Sequence, residues 1–196
     1  MLDKSMPYYS VIMKKPAETP LIPWRVPTGF GLSFYTRGME RKWASIETAV
    51  GEFSEVAEAE RYFSIHYFPF QIELSRRMLF AHAKDGTVAG TITAWWNHTG
   101  RRRDPSIHWL AVHPNFQKLG LGRSLISECL SILCDLEGRS DVWLHTQTWS
   151  HAAIRLYLEA GFKIVQDEIF AEYTNASGKA IPILKTFIPG LSTERS

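Results

Sequence analysis

The sequence predicts an α/β fold, a mixed sheet with helices on both faces, and three observations carry that prediction. Runs with strand character alternate along the chain with apolar stripes of helical period. Two β-rich runs, MLFAHA and TVAGTITAWW, flank Lys84-Asp85-Gly86, where Asp-Gly supplies the positive φ of a tight hairpin turn. A glycine turn stands between a β-run that ends at Val112 and a long apolar-periodic helix.

The elements follow in order. Residues 1–29 carry Pro7, Pro16, Pro20, Pro23 and Pro27 without sustained periodicity, and read as an extended N-terminal arm. The domain proper then covers residues 30–196. FGLSFYTR, from Phe30, alternates as a first strand. GMERKWASIETAV sets Trp43, Ile46 and Val50 at helical spacing. A second helix is expected over Ser54–Phe68, with Ser54 as its cap and Val56, Ala59, Phe63 and Tyr67 on one face.

The hairpin comes next. Polar NHTGRRRDP then reads as a loop into SIHWLAVHP, a fourth strand. Past the glycine turn, GRSLISECLSILCDLEG forms a helix with Leu125, Leu130, Leu133 and Leu136 on its apolar side and Gly138 at its end. VWLHTQT is a fifth strand, and SHAAIRLYLEAGF a helix capped by Ser150. FKIVQDEIF and AIPILKTF are expected to close the sheet as strands joined through the turn-rich segment 175–178. Internal repeats and a second domain are absent from the pattern.

Composition narrows the function classes. A chain of 196 residues with 45 % apolar and 21 % charged residues has the balance of a soluble globular protein with a sizeable core. Its net charge of +2 is too mild to argue for nucleic acid, and no basic stripe runs along a helix. Arg101, Arg102 and Arg103 form one dense basic cluster, open to reading as a solvated loop or as a site for an acidic group. Cys129 and Cys134 lie on one predicted helix with diverging side chains, which disfavours a disulfide and suits buried thiols in a reducing compartment. With neither an apolar leader nor a long apolar span, the protein is expected to be cytoplasmic, without membrane contact. No metal is expected, and self-association as a homodimer stays open.

The most informative stretch is Val112-His113-Pro114-Asn115-Phe116-Gln117-Lys118-Leu119-Gly120-Leu121-Gly122-Arg123. Glycines at alternate positions remove Cβ atoms, so successive backbone N–H groups can face one concavity. A helix start adds orphan donors and the positive end of its dipole, which is what an anionic diphosphate needs. A bare Gly-x-Gly is equally a plain helix start, and neither the dinucleotide fingerprint nor the Walker loop is present.

Here the sequence resembles the GCN5-related N-acetyltransferase (GNAT) superfamily. Gln117-Lys118-Leu119-Gly120-Leu121-Gly122 matches the family's Arg/Gln-x-x-Gly-x-Gly/Ala turn, and Leu110 to Pro114 is its usual lead-in. Ala153-Ile154-Arg155-Leu156-Tyr157, followed by Ala160-Gly161-Phe162, resembles the family's second signature. The resemblance spans residues 30–188 in element order and is specific over residues 107–165.

The resemblance implies a mixed, mostly antiparallel sheet of six to seven strands with a splayed strand pair at an acyl-CoA site. It implies acetyl-CoA as co-substrate and direct attack by a primary amine, on a small molecule or peptide. Leu110, Ala111 and Val112 would meet pantetheine through main-chain groups. Backbone donors over Lys118, Leu119, Gly120, Leu121, Gly122 and Arg123, with Ser124, would hold the pyrophosphate, Gln117 opening the turn. Tyr157 stands where the family often places a phenol that protonates the departing thiolate. Ser150 replaces the family's frequent Asn, which puts its cofactor contact in doubt.

His108 lies on the face of Val112 by period two, where some members carry a basic histidine; its unperturbed pKa is near 6.5. A satisfied strand histidine and a water chain remain alternatives. The backbone N–H of Leu110 would polarise the thioester carbonyl.

Acceptor choice is left to an aromatic set, Trp43, Phe53, Tyr62, Phe63, Tyr67, Phe68, Trp95, Trp96 and Trp149, which reads as core or as a pocket. Glu47, Glu52 and Glu55 would attract a cationic amine or simply form a solvated helix face. A non-catalytic acyl-CoA-binding module is the alternative from another class.

Overall fold

A computed structural model describes residues 2–191. Seven strands form one sheet in the order β2-β3-β4-β5-β6-β1-β7, with helices between them. They are β1 (Ser10–Lys15), β2 (Phe30–Phe34), β3 (Met78–Ala83), β4 (Val88–Thr99), β5 (Arg102–Val112), β6 (Val142–Gln147) and β7 (Lys163–Ile164). The helices are α1 (Glu40–Val50), α2 (Val56–His66), α3 (Gln71–Arg77), α4 (Leu121–Glu137), α5 (His151–Glu159) and α6 (Ser177–Phe187). The mixed α/β prediction holds.

The chain divides into two compact units. The first holds residues 23–94 and 109–132 with Leu2, and the second residues 3–22, 95–108 and 133–191.

In the first unit, β2, β3 and β4 pair antiparallel, with Phe30 opposite Ala83 and Met78 opposite Thr93. The hairpin turn forms as its residues require. Gly86 has φ +83, the Thr87 N–H donates to Asp85 Oδ1 at 2.9 Å, and Ala83 N–H meets the Thr87 carbonyl. Helix α1 buries Trp43, Ala44, Ile46 and Val50, the spacing expected of an apolar stripe. It ends on Gly51 in the left-handed conformation, whose N–H caps the Glu47 and Thr48 carbonyls.

Ser54 does not cap α2 in the expected way. The helix starts two residues later, and the Glu58 carboxylate instead accepts from both the N–H and the hydroxyl of Ser54. The sequence reading missed α3, which follows a short 3-10 turn at Phe68–Phe70 and ends on Arg76 and Arg77, both bonded to Glu73.

In the second unit, β1 lies between β6 and β7, antiparallel to both, with Ser10 opposite Gln147 and Met13 opposite Ile164. That strand falls inside the stretch expected to be an irregular arm. Val11, Ile12 and Met13 are fully buried, and such a short run leaves too little length for periodicity to declare itself. The residues before it are also fixed: Thr148 Oγ1 donates to the Pro7 carbonyl, and Trp149 Nε1 to that of Met6. Strand β6 pairs parallel to β5, Ser106 opposite Trp143.

Two expectations at the C-terminal end are overturned. Only Lys163 and Ile164 of FKIVQDEIF pair as a strand. AIPILKTF is helical, as part of α6, despite Pro182 inside it. Ser177, Ala180, Ile181 and Leu184 are its buried residues, a helical period that the short apolar run hid. Just ahead of it Asn175 Oδ1 accepts from the Ser177 N–H at 3.0 Å, a side-chain turn that leads the chain into the helix.

The arginine cluster is likewise corrected. Arg102 and Arg103 belong to β5 rather than to a loop. Arg102 reaches Asp104, and Arg103 grips Glu137 while lying 4.3 Å over the Trp96 ring. Cys129 is buried as expected, but Cys134 is exposed; both are free thiols.

Candidate active site

The donor half of the predicted site lies within the first unit. Strand β5 runs to Val112, a 3-10 turn covers Pro114–Phe116, and α4 opens at Leu121. The Gln117 side chain folds back, its Nε2 donating to the Val112 carbonyl at 2.9 Å, which ties the turn to the strand. Lys118 has φ +64 and Gly120 φ +92, so the backbone twice enters the left-handed region before the helix begins. A lysine there is uncommon; at Gly120 the missing Cβ removes the cost.

An α-helix leaves the N–H groups of its first turn without intrahelical acceptors, and here Leu121 and Gly122 are the first two. The Ser124 N–H already bonds to the Gly120 carbonyl at 3.2 Å, and its buried hydroxyl donates to the Leu121 carbonyl. Lys118, Leu119 and Arg123 are exposed. The turn therefore presents helix-start donors, flanked by the exposed cations Lys118 and Arg123, to an anion.

Upstream, the approach of β4 to the end of β5 needs a glycine that the sequence reading did not single out. A Cβ on Gly90 would lie 2.9 Å from the Ala111 carbonyl oxygen and 3.1 Å from Leu125 Cδ1. Ala111 is buried, while Leu110 and Val112 are partly exposed. Trp109, just before them, has φ +53, a strained backbone for a bulky side chain. Its ring packs against Trp43 at 5.4 Å, Phe53 at 5.4 Å and Tyr62 at 5.1 Å. Trp43 has no exposed surface, so much of the aromatic surplus is packed core.

Glu47 departs from the other two acids of its group. Glu52 and Glu55 are exposed, as a solvated face requires, but Glu47 is only 1 % exposed. Its Oε1 has no hydrogen-bond partner among the described residues, and neither have Trp43 Nε1 and Thr48 Oγ1 on the same helix. Burial, with the field of Glu52 second, raises its carboxyl well above the usual range.

The remaining candidates belong to the second unit. His108 is partly buried, and its Nε2 donates to Asn97 Oδ1 at 2.5 Å, with Ser106 Oγ 3.1 Å away. Ser106 Oγ donates to the same amide oxygen at 2.9 Å. Burial, and secondly the nearby His145, push the His108 pKa down to about 3, far from the unperturbed value expected on sequence grounds. His145 is itself lowered to about 4 by burial; Ser10 Oγ meets its Nε2 at 2.8 Å, and the Tyr173 ring stacks on it at 3.9 Å.

Tyr157 is a buried residue of α5, with its ring 5.6 Å from that of Phe162. Ser150 precedes α5 but makes no side-chain cap bond, contrary to the capping role expected for it. Among the described residues no group of three His, Cys, Asp or Glu side chains could hold a metal, and no helix is long and apolar enough to cross a membrane.

A mixed open sheet whose β5 strand runs through a glycine turn into a helix defines the GNAT class of acetyltransferase. The sequence pattern of the Acetyltransferase (GNAT) family matches residues 43–162, more than half of the chain, and the chain belongs to that family.

The fold is shared with solved structures at low identity. A GCN5-related N-acetyltransferase from Sphaerobacter thermophilus superposes with a TM-score of 0.63 at 22 % identity over 79 % of this chain. An acetyltransferase from the GNAT family of Colwellia psychrerythraea gives 0.60 at 10 % over 82 %. A GCN5-related N-acetyltransferase from Kribbella flavida gives 0.52 at 16 % over 80 %. This chain spans 48 %, 55 % and 56 % of their respective lengths. No curated protein matches the chain.

Proposed function

We propose that the protein transfers the acetyl group of acetyl-CoA to a primary amine of a small molecule or peptide, by direct attack within a ternary complex. The observation that carries this reading is the Gln117–Gly122 turn. It is locked to the end of β5 by the Gln117 side chain and bent through Lys118 and Gly120, and it ends on the bare N–H groups of α4. Such a cradle suits a diphosphate, and membership of an acetyltransferase family makes acyl-CoA its natural owner.

Acetyl-CoA supplies a thioester, an acyl group already activated for attack. The chain's contribution is placement. Main-chain groups of Leu110, Ala111 and Val112 would hold the pantetheine arm, and the Leu110 N–H would face the carbonyl oxygen as negative charge develops there. Tyr157 would return a proton to the leaving thiolate. His108, held near 3 with its Nε2–H committed to Asn97, would pass a proton along rather than store one at neutral pH.

The test is a thiol-release assay with acetyl-CoA against an amine library, run beside direct binding of acetyl-CoA. Release with at least one amine is expected. Binding without release across the panel would instead mark a non-catalytic acyl-CoA module, and absence of binding would sink the donor assignment. Tyr157→Phe keeps the ring and removes the proton, so an unchanged pH–rate profile would eliminate the acid role.

A further inference from the structure

Helix α1 carries an unexplained feature on its inner face. Trp43, Ile46, Glu47 and Val50 recur at the helical interval and are all buried. Around Glu47, Trp43 meets the Trp109 ring at 5.4 Å, while Ile46 and Val50 share a core cluster with Ala111. The carboxyl therefore projects from the helix face that covers Trp109 and Ala111, the second of them just assigned to the pantetheine arm.

A buried polar atom without a partner is costly and rare in native proteins. This face has two, Glu47 Oε1 and Trp43 Nε1 one turn away, with Thr48 Oγ1 adjacent on the helix. A pair made of one strong acceptor and one donor, beside strained backbone at Trp109, suits a polar guest.

We propose that Glu47 receives the acceptor amine as its ammonium and takes one proton from it. The inference rests on the N-acetylation reading above. In the step, an ammonium N–H bond breaks and an O–H bond forms on Glu47. The nitrogen keeps the electron pair and becomes the neutral nucleophile.

Burial, with the field of Glu52 second, raises the carboxyl's pKa and makes it a stronger base than an ordinary carboxylate. Glu52 is the charged neighbour whose field contributes to the rise. The elements packed on this face bring Trp109 and Ala111 from β5, Val88 from β4 and Phe63 from α2, none of them ionisable, with Tyr62 stacked on Trp43 and Tyr67 edge-on to it as the two phenols. A substrate amine would thus arrive charged and be neutralised inside.

The test compares wild type with Glu47→Gln and Glu47→Asp, using benzylamine, tryptamine, spermidine and lysinamide as probes. Thermal shifts with each probe, and with acetyl-CoA alone, are read beside thiol release from pH 5 to 9. At least one probe is expected to raise the wild-type Tm but not that of the Gln variant. For that probe kcat/KM should fall about 10²-fold or more, the size of a lost general base, with KM for acetyl-CoA unchanged. The acidic limb of the pH profile should vanish in the Gln variant and return in part with Asp.

Equal probe shifts in wild type and the Gln variant, shifts in neither, or kcat/KM retained within about threefold with its acidic limb intact would each overturn the assignment. Acetyl-CoA stabilisation of both proteins in those same runs shows that the donor reading survives. Its absence in wild type sinks that reading instead.

Discussion

Glu47 in the first unit and His108 in the second are both withdrawn from water, yet their surroundings differ in kind. His108 is supplied with partners: Asn97 takes its Nε2–H, Ser106 lies beside it, and His145 on the neighbouring strand is itself held by Ser10. Glu47 is buried more completely and offered nothing for Oε1. Burial disfavours the charged form of each group, so it lowers the histidine and raises the carboxyl. For a base at neutral pH the directions have opposite value. A histidine near 3 is always neutral but binds a proton weakly, whereas a raised carboxylate binds one well. Hydrogen bonds hold the first in one orientation, whereas the second keeps an oxygen to which its surroundings offer no partner.

The sharpest way to break this contrast is kinetic. Glu47→Gln should cost about 10²-fold or more in kcat/KM and abolish the acidic limb, while His108→Gln should cost about tenfold at most and leave the limb in place. Reversal of that order, measured on one responsive amine, would hand the base role to the histidine.

Next in size is the partner network. Asn97→Ala strips the oxygen that two donors share, so denaturant unfolding should show a loss of about 1–3 kcal/mol. The corresponding substitution beside Glu47 should have the opposite sign. Glu47→Gln removes a charge that folding buries, and the raised folded pKa fixes the window. Below the unfolded value near 4.5 both states carry the neutral acid and the stabilities match. As pH rises through the folded pKa the wild type loses stability that Gln keeps. Thermal unfolding at pH 8 should therefore favour the variant, and at pH 4 the two should unfold together.

The smallest effect belongs to the histidines. Their folded pKa values, about 3 and about 4, lie below the unfolded 6.5, so the stability they contribute is present above 6.5 and drains as pH falls toward those values. Replacing His145 by Gln should flatten part of the acid loss between pH 6 and 4, visible as a shallower slope of Tm against pH.

Local chemistry decided what the sequence could disclose. The Asp85-Gly86 hairpin and the glycine turn announce themselves because their backbone demands particular residues. The periodic faces of α1, α4 and α5 do so because length gives the period room. By contrast β1, six residues in a proline-rich stretch, and α6, a short apolar run broken by Pro182, depend on tertiary burial that no local pattern records.

The site divides the same way. The glycine turn was legible, but Glu47, Glu52 and Glu55 look alike in sequence, and only packing separates the buried one from the two in water. His108 was found by its place in the strand. Its partner Asn97 lies across the hairpin in a segment read as loop, so nothing foretold how firmly the ring is held.

The position of β1 also has a consequence for how the protein is made. Val11, Ile12 and Met13 of β1 are bound for full burial, but the partner strand β6 is made only after residues 16–141 have been added. Until then β1 is a short greasy strand with unmet hydrogen bonds, waiting across a long loop whose closure slows assembly. The nascent β1 segment should therefore depend on being shielded until β6 is made. Substitutions in β1 would act on yield and solubility before they touched chemistry.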